Sequence, residues 1–363
     1  MNVLLYRRSL DAASGAGQLV AAQARALQSA GAAVSVACRR GRVKFFLRTG
    51  LWPRRWPMAR AAAPDSAGRW RVIDHSCEVP AADVVFVHNL HSEANRFLAR
   101  ADLAPVVERE ESFFRALSDS TPVVANSRLV ADALVRNFGL RRERIAVIYP
   151  GFDARRFTAA RLRAEREHAR RALDVDAQTP LLGFVTSGDF HKRGLEVFLA
   201  AAAEIAKAAP QVGFLVVGSK SLPDWARTHA LVAAGRVRYR RKSGDPARWF
   251  AALDLFLYPA LFEEFGMVVL EAQHCGLPVL TSRRVGAAEC LPPTYEKWLI
   301  AEPDAGAFAA LALALLADRA ACDALATQGV AAAARYGMPR HAALAAALIL
   351  GSKTAAEVNA DSR

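Results

Sequence analysis

The chain opens with a short apolar run, MNVLLY. It passes through a glycine-containing loop into a helical stretch, SGAGQLVAAQARALQSAG, and returns to a second β-branched run, AAVSVAC. This is a βαβ unit from the first residue, and parallel strands joined by crossover helices are what such a unit can build. ADVVFVHN and STPVVANS repeat the strand signal, RLVADALVRNFG reads as a helix closed by Gly139, and RIAVIYPG reads as another strand. A second series follows: PLLGFVTSG, the helix GLEVFLAAAAEIAKAAP, VGFLVVGS, RVRYRRK, WFAALDLFLYP and GLPVLTS. Strands alternate with helices in both series, so each predicts a parallel sheet covered on both faces. At 363 residues two domains are expected, over 1–160 and 161–340, followed by a C-terminal helix and a polar, frayed tail over 341–363. The link between domains is expected in the charged stretch near 155–178.

With 53% hydrophobic and 23% charged residues the chain is globular rather than disordered. The N-terminus reaches Arg7 after a few apolar residues, so no signal peptide is expected there. The longest apolar run near the C-terminus, AGAFAALALALLA from Ala305, has 13 residues, short of the roughly 20 that cross a bilayer, and a soluble, cytoplasmic chain is expected. Cys38, Cys77, Cys275, Cys290 and Cys322 show no paired spacing of the metal-binding or redox kind, which suits reduced thiols. A formal charge of +13 asks for a polyanionic neighbour: nucleic acid, an anionic membrane face or a phosphorylated ligand.

In open α/β sheets ligands bind beyond the carboxyl ends of the strands, so LYRRSLDAASGAG, VHNLHSE, TSGDFHKRG and YPALFEEFG are the candidate site loops. The most informative segment is FEEFGMVVLEAQHCGLPVL, Phe262 to Leu280, where Glu263 and Glu271 stand on either side of a glycine turn in an otherwise apolar run. A helix starting around Gly266 would present the amides of Phe265, Gly266, Met267 and Val268 to a phosphate, with the positive end of its dipole behind them. Ionised carboxylates accept hydrogen bonds only, and neighbouring sugar hydroxyls are matching donors. A sugar, a diphosphate and a ribose fit that order. Each residue also has a plainer reading. Acids are favoured in a first helical turn, Lys192 and Arg193 could be surface charges, His88 a satisfied buried histidine, and Gly15 and Gly17 the makers of a turn.

EEFGMVVLEAQHCGLPVLTS, with seven residues between Glu263 and Glu271, resembles the signature of family 4 glycosyltransferases. These are retaining enzymes of the GT-B fold, an α/β architecture of two facing Rossmann-like domains with a cleft between them. NSRLVADALVRNFGLRRERIAVIYPGFDARRF, VTSGDFHKRGLEVFLAAAAEI and VGAAE fall in the family's order and spacing, so the resemblance covers about 125–300, and the first 120 residues match in outline. Within the family, SGDFHKRG and the short N-terminal domain are most similar to the glucosyltransferase that begins the outer core of lipopolysaccharide. The resemblance implies that Glu263 binds the donor sugar and takes part at the catalytic centre, and that Glu271 binds the nucleotide ribose. It places Lys192 and Arg193 on the diphosphate together with the amides of Phe265 to Val268, and brings Gly15 and Gly17 close to the same diphosphate. Glu289 is a weaker candidate. His88, Asn89 and His91 are the catalytic candidates from the N-terminal domain, His88 first; where close relatives offer a carboxylate this chain places Asn89.

As the glycosidic bond breaks, charge builds on the leaving phosphate and fixed cations stabilise it, so no metal or other cofactor is expected. DVD at Asp174 to Asp176 sits in a linker rather than at a strand end, and GAGQLV has Val20 where a dinucleotide fingerprint has its third glycine. RRGRVKFFLRTGLWPRRWPMAR, Arg39 to Arg60, holds eight Lys or Arg, four aromatics and no acid. That suits an anionic membrane surface, RNA stacking or a solvated loop. RFLARADLAPVVEREESFFRAL reads as a second amphipathic contact or an ordinary packed helix. The expected partners are a nucleotide-sugar donor, a lipid-linked saccharide acceptor and the inner face of the cytoplasmic membrane, without nucleic acid. The rival from another class is an NADP-dependent oxidoreductase using Gly15, Gly17 and the Arg39–Arg40 pair, which leaves the glutamates idle.

Overall fold

The computed structural model describes residues 1–11, 14–55, 70–218, 221–241 and 246–362. The chain divides into two compact units, Met1–Gly151 with Tyr336–Arg363, and Phe152–Arg335.

Among the described residues of the first unit seven strands run β1 (Asn2–Tyr6), β2 (Ala33–Cys38), β3 (Arg54–Arg55), β4 (Trp70–Asp74), β5 (Val84–Val87), β6 (Val123–Ala125) and β7 (Ile145–Val147). All pair in parallel, in the order β3-β2-β1-β4-β5-β6-β7, with Asn2 against Ala33 on one side and Trp70 on the other. Strands β5, β6 and β7 are wholly apolar and β1 is apolar after Asn2, with Val3, Leu4, Leu5 and Tyr6 all fully buried, whereas the edge strand β3 is the exposed pair Arg54–Arg55 and β4 carries Arg71 and Asp74. Helix α1 (Gly15–Ser29) starts at Ser14, whose hydroxyl accepts from the Gly17 amide. Helix α2 spans Arg42–Thr49, α3 His91–Leu98, α4 Ala104–Ala116 and α5 Arg128–Phe138. Strand order reverses between β1 and β4, so the loops after those strands, from Arg7 and from His75, flank the switch point.

The C-terminal residues differ from expectation. The helix Met338–Leu350 packs on this unit's core through Ala345, Leu348 and Ile349. The tail expected to fray is a helix, Ala355–Asp361, begun by a capping box of Thr354 and Glu357. Asn359 accepts from Val147 N at 2.7 Å and donates to Ile145 O at 3.0 Å, covering the otherwise open edge of β7. An amide side chain that copies a strand's donor and acceptor leaves no periodic signal.

The described residues of the second unit form five parallel strands, β8 (Leu181–Val185), β9 (Gly213–Gly218), β10 (Val237–Arg241), β11 (Leu255–Tyr258) and β12 (Val279–Thr281), in the order β10-β9-β8-β11-β12. The chain enters this unit at Phe152, and most of the stretch expected as linker is helix α6 (Ala159–Arg171), capped by Thr158. Its charge concealed its role, because arginine can be buried when its fork is satisfied. Arg170, 3% exposed, donates to Ala252 O at 2.8 Å and Asp176 O, and with Arg166 it pairs with Asp254. Strand order reverses between β8 and β11, which brings the loops after them, Thr186–Gly194 and Pro259–Gly266, side by side. No single helix among the described residues is long and apolar enough to cross a membrane.

Candidate active site

The loop after β8 folds back on itself. Asp189 accepts from the amides of His191 and Lys192, and Gly194, at φ +77°, begins helix α7 (Leu195–Ala208). A Cβ at Gly194 would stand 1.9 Å from the Pro259 carbonyl oxygen, so only glycine lets the two site loops touch. Leu261 N donates to Lys192 O at 3.0 Å and joins them again.

This contact sets two cations against two carboxylates. Lys192 Nζ lies 2.7 Å from both oxygens of Glu264, and Arg193 Nε lies 2.6 Å from Glu263 Oε2, which also accepts from the Tyr258 hydroxyl at 2.9 Å. Glu264 and Glu263 are 2% and 7% exposed, so the charges attract in a setting that screens them little. Burial alone would push the Glu264 carboxyl up; Lys192 and then Arg193 outweigh it and hold it below the usual glutamate range. Burial likewise works against the Arg193 cation, and Glu263 more than reverses it. Burial and the Glu263 charge push the Tyr258 phenol well above its ordinary value, so it is a donor at neutral pH. Arg193 Nη1 is buried and has no hydrogen-bond partner among the described residues.

Gly266, at φ +87°, precedes the helix Met267–His274 and no side chain among the described residues caps that end; Val269 N donates to Gly266 O at 3.0 Å, and the amides of Met267 and Val268 are left without an intrahelical acceptor. The Phe265 carbonyl is bonded by Ala287 N at 2.7 Å and the Glu263 carbonyl by Gly286 N at 3.0 Å, which ties the turn to the short helix Gly286–Cys290. Glu271 stands one turn into the helix, half-buried, and Glu289 lies on the Gly286–Cys290 helix. Glu264 and Tyr258 are the members of this cluster that sequence reasoning gave no role. A second acid beside Glu263 and a tyrosine ending β11 were the available signals.

In the first unit His88, at the end of β5, is half-buried and Asn89 beside it exposed. Glu110 of α4 accepts from the amides of His91 and Ser92, capping α3 from another helix. The partner that sequence reasoning missed is His75, which directly follows β4 and lies with its Nδ1 2.9 Å from His88 Nε2, the rings stacked. RWRVIDHS carries the signal, a polar pair directly after an apolar run. His75 is 1% exposed and its Nε2 has no partner among the described residues. A neutral imidazole holds one proton, and placing it on Nε2 would strand a buried donor. The bonding therefore assigns it to Nδ1, donating to His88, whose own proton is then on its Nδ1. Burial pushes both rings well below the ordinary histidine value and Arg7 pushes them further, so the pair is neutral at pH 7. His88 stands ready as a hydrogen-bond donor rather than a base. A pocket of about 140 Å³ beside it is lined by Arg8, Glu78, Asn89 and His91 among others. Gly15 starts α1, and Gly17 is required for packing, since a Cβ there would lie 2.0 Å from the Asp11 carbonyl oxygen.

Residues 13–156 match the family described as Glycosyltransferase Family 4, and residues 179–318 match Glycosyl transferases group 1. The two matches lie one after the other along the chain, and the chain belongs to this glycosyltransferase family. Among curated relatives, the D-inositol 3-phosphate glycosyltransferase of Rhodococcus opacus is 32% identical over 214 residues, 55% of this chain and 47% of the relative. That of Streptomyces avermitilis is 30% identical over 263 residues, 69% and 56% of the two. The chain spans about half the length of the curated relatives it matches. Among solved structures, WaaG, a glycosyltransferase involved in lipopolysaccharide biosynthesis, has a TM-score of 0.75 at 22% identity, covering 96% of this chain and 100% of that one. Anabaena HepE in complex with UDP and glucose has a TM-score of 0.73 at 19% identity, covering 97% and 100%. At these identities the likeness establishes the fold, which is GT-B. Family membership also removes the oxidoreductase alternative.

Proposed function

We propose that this chain transfers a hexose, with retention of configuration, from a nucleoside diphosphate sugar, a UDP-sugar, to a hydroxyl of a lipid-linked saccharide such as the lipopolysaccharide core. What carries this is the cation pair after β8. Arg193 spends Nε on Glu263 but keeps a buried, unpartnered Nη1 donor, and Lys192 retains one N–H beyond those directed at the two Glu264 oxygens. Both cations stand beside a helix start whose amides suit an anion. In this role they hold the diphosphate and stabilise the charge that grows on it as the sugar leaves. Glu263 receives donor-sugar hydroxyls, Glu271 the ribose hydroxyls, and His88 donates through its Nδ1. Gly15 and Gly17 allow a close backbone approach. The charge supplied by Lys192 and Arg193 makes a metal unnecessary.

The choice of lipopolysaccharide core follows the resemblance of SGDFHKRG together with the WaaG likeness, and the UDP-sugar donor follows HepE, solved with UDP and glucose. The enzyme would work in the cytoplasm, at the inner face of the cytoplasmic membrane where a lipid-linked acceptor is presented. A screen of nucleoside diphosphate sugars for slow hydrolysis without acceptor tests the core of this. Hydrolysis of one UDP-hexose that persists in excess chelator supports it. Absence of turnover with every donor, or complete loss with chelator, overturns it.

A further inference from the structure

We propose that the second unit holds a further small-molecule site, a cavity at the end of its sheet away from the candidate active site, whose ligand is an amphipathic anion: one carboxylate or phosphate head on an unbranched apolar chain. The cavity has a volume of about 570 Å³. Ordinary ligand sites measure roughly 300–1,000 Å³. Pro180, Asp254 and Pro278, the residues directly before β8, β11 and β12, all line it, whereas the candidate active site follows β8 and β11. The helix Met267–His274 has its first turn in that site, and Cys275 and Gly276, which follow it, stand in the cavity wall. The lining lies within 159–330, in described parts of the chain; of the basic stretch 39–60, residues 56–60 lie outside the described residues.

The buried part of the lining is apolar. Leu162, Phe250, Leu253, Leu277 and Leu315 are all buried, and none of their side chains can bond a sugar hydroxyl. Among the described residues Phe250 is the only aromatic in the lining, and it is fully buried, so a nucleobase finds no open ring to stack on. Cys322 is half-buried there, and burial pushes its thiol up to about 11, so it brings no negative charge. The polar part of the lining is charged, and its cations outweigh its acids. Arg166 lies 2.5 Å from Asp254, but that carboxylate is shared with Arg170 and also accepts from Leu181 N at 2.8 Å. Arg319, which starts the helix Arg319–Ala333, lies 3.0 Å from Asp323 one turn on, an exposed pair that a competing anion opens at little cost. Arg163 of α6 is exposed and makes no ion pair or side-chain hydrogen bond with the described residues. Arg163 and Arg319 therefore take the anionic head, while the chain displaces water from the leucines.

The site goes beyond the glycosyl-transfer reading and is tested with no donor present. Dodecanoate and dodecyl phosphate are titrated into the full chain by calorimetry, below the concentrations at which they form micelles. Decanoate, dodecyltrimethylammonium and inorganic phosphate are run alongside. Two variants address the cavity, R163E/R319E at exposed positions and Leu316→Trp, which fills the space from a half-buried one. Thermal melting checks that both fold, and Lys192→Ala, beyond the other end of β8, provides the contrast. The expected result is one dodecyl anion bound per chain, with the tighter of the two naming the head group, and no binding of the ammonium or of inorganic phosphate. Decanoate, two methylenes shorter, should bind about tenfold more weakly. Both cavity variants should lose about tenfold or more, and Lys192→Ala nothing. Equal binding of the ammonium, several anions per chain, binding of neither anion, or undiminished binding in both cavity variants overturns the proposal. So does loss in Lys192→Ala alone, which would put the probe on the diphosphate cations. A dimer seen by ultracentrifugation of the ligand-free chain and taken apart by Leu316→Trp would also overturn it, since the cavity would then be a contact between copies.

Discussion

Lys192 Nζ is equidistant, at 2.7 Å, from the two carboxylate oxygens of Glu264, and the pair is set between two loops that follow neighbouring strands. The acid fixes the ammonium at the place where the proposed diphosphate is gripped. Replacing Lys192 by Ala removes charge stabilisation and is expected to lower kcat on the order of 100- to 1000-fold, about 3 kcal/mol. Glu264→Gln keeps an acceptor but not the charge, and is expected to lower kcat/KM about tenfold while the fold persists. Steady-state hydrolysis of the donor reads both; wild-type rates in both variants would show that the pair is structural.

The same carboxylate carries a pH signature. Its folded pKa lies below the ordinary 4.5, so its ionised form contributes stability that is present above that value and lost as pH falls through the folded one. Melting temperatures of wild type and Glu264→Gln should therefore converge in acid below about 4.5 and diverge above it. A constant difference from pH 3 to pH 8 would contradict this.

His75 and His88 act at a higher pH with the same sense. Both folded values lie well below 6.5, so protons bind the unfolded chain first and stability declines as pH falls below 6.5. Asp74 opposes them: burial raises it to about 6, so its contribution is present in acid and is lost as pH rises through that value. Comparing wild type with His75→Gln isolates the histidine part. The variant should lose less stability than wild type between pH 6.5 and 5. Nitrogen chemical shifts of the histidines at pH 7 should report both rings neutral and protonated on Nδ1. A shift pattern of Nε2–H for His75 would reverse the assignment.

Gly194→Ala tests how the site loops are held. The new Cβ meets the Pro259 carbonyl oxygen at 1.9 Å, and the backbone there has φ +77°. No flexible side chain can yield, so the loops must separate, at a cost of about 2–4 kcal/mol and with loss of the Lys192–Glu264 geometry. Calorimetry should record the destabilisation and the donor assay a parallel fall in activity. An alanine variant as stable and active as wild type would mean that the loops adapt freely.

The second sheet, and β1, β2, β5, β6 and β7 of the first, were legible because buried parallel strands write themselves as apolar runs, as MNVLLY and GFLVVG do; β3, a pair of arginines, and β4, interrupted by Arg71, were not. The loops of the candidate site were legible as loops because they follow such runs, and the stretch that resembles a family signature lies in one of them. Pairwise chemistry was not. That Lys192 meets Glu264 rather than Glu263, and that His88 meets His75, depends on strand order, which brings β8 beside β11 and β4 beside β5 across intervals that no local pattern reports. Arg170 shows the complementary failure: a buried, fully bonded guanidinium is spelled like a surface charge.

Asn359 provides a test outside the site. Its side chain supplies the donor and acceptor that an eighth strand would give to Ile145 and Val147. Ser362, 4% exposed, adds a hydroxyl bond to Val147 O at 2.7 Å. Asn359→Leu keeps the size but leaves a partly buried N–H and C=O unpaired, which costs about 2–4 kcal/mol in total. Because this contact closes the sheet of the first unit, hydrogen exchange in that variant should speed up at the β7 amides and leave β8 to β12 unchanged. Uniform acceleration through both units, or none at β7, would show that the terminal helix does not act as the edge cover.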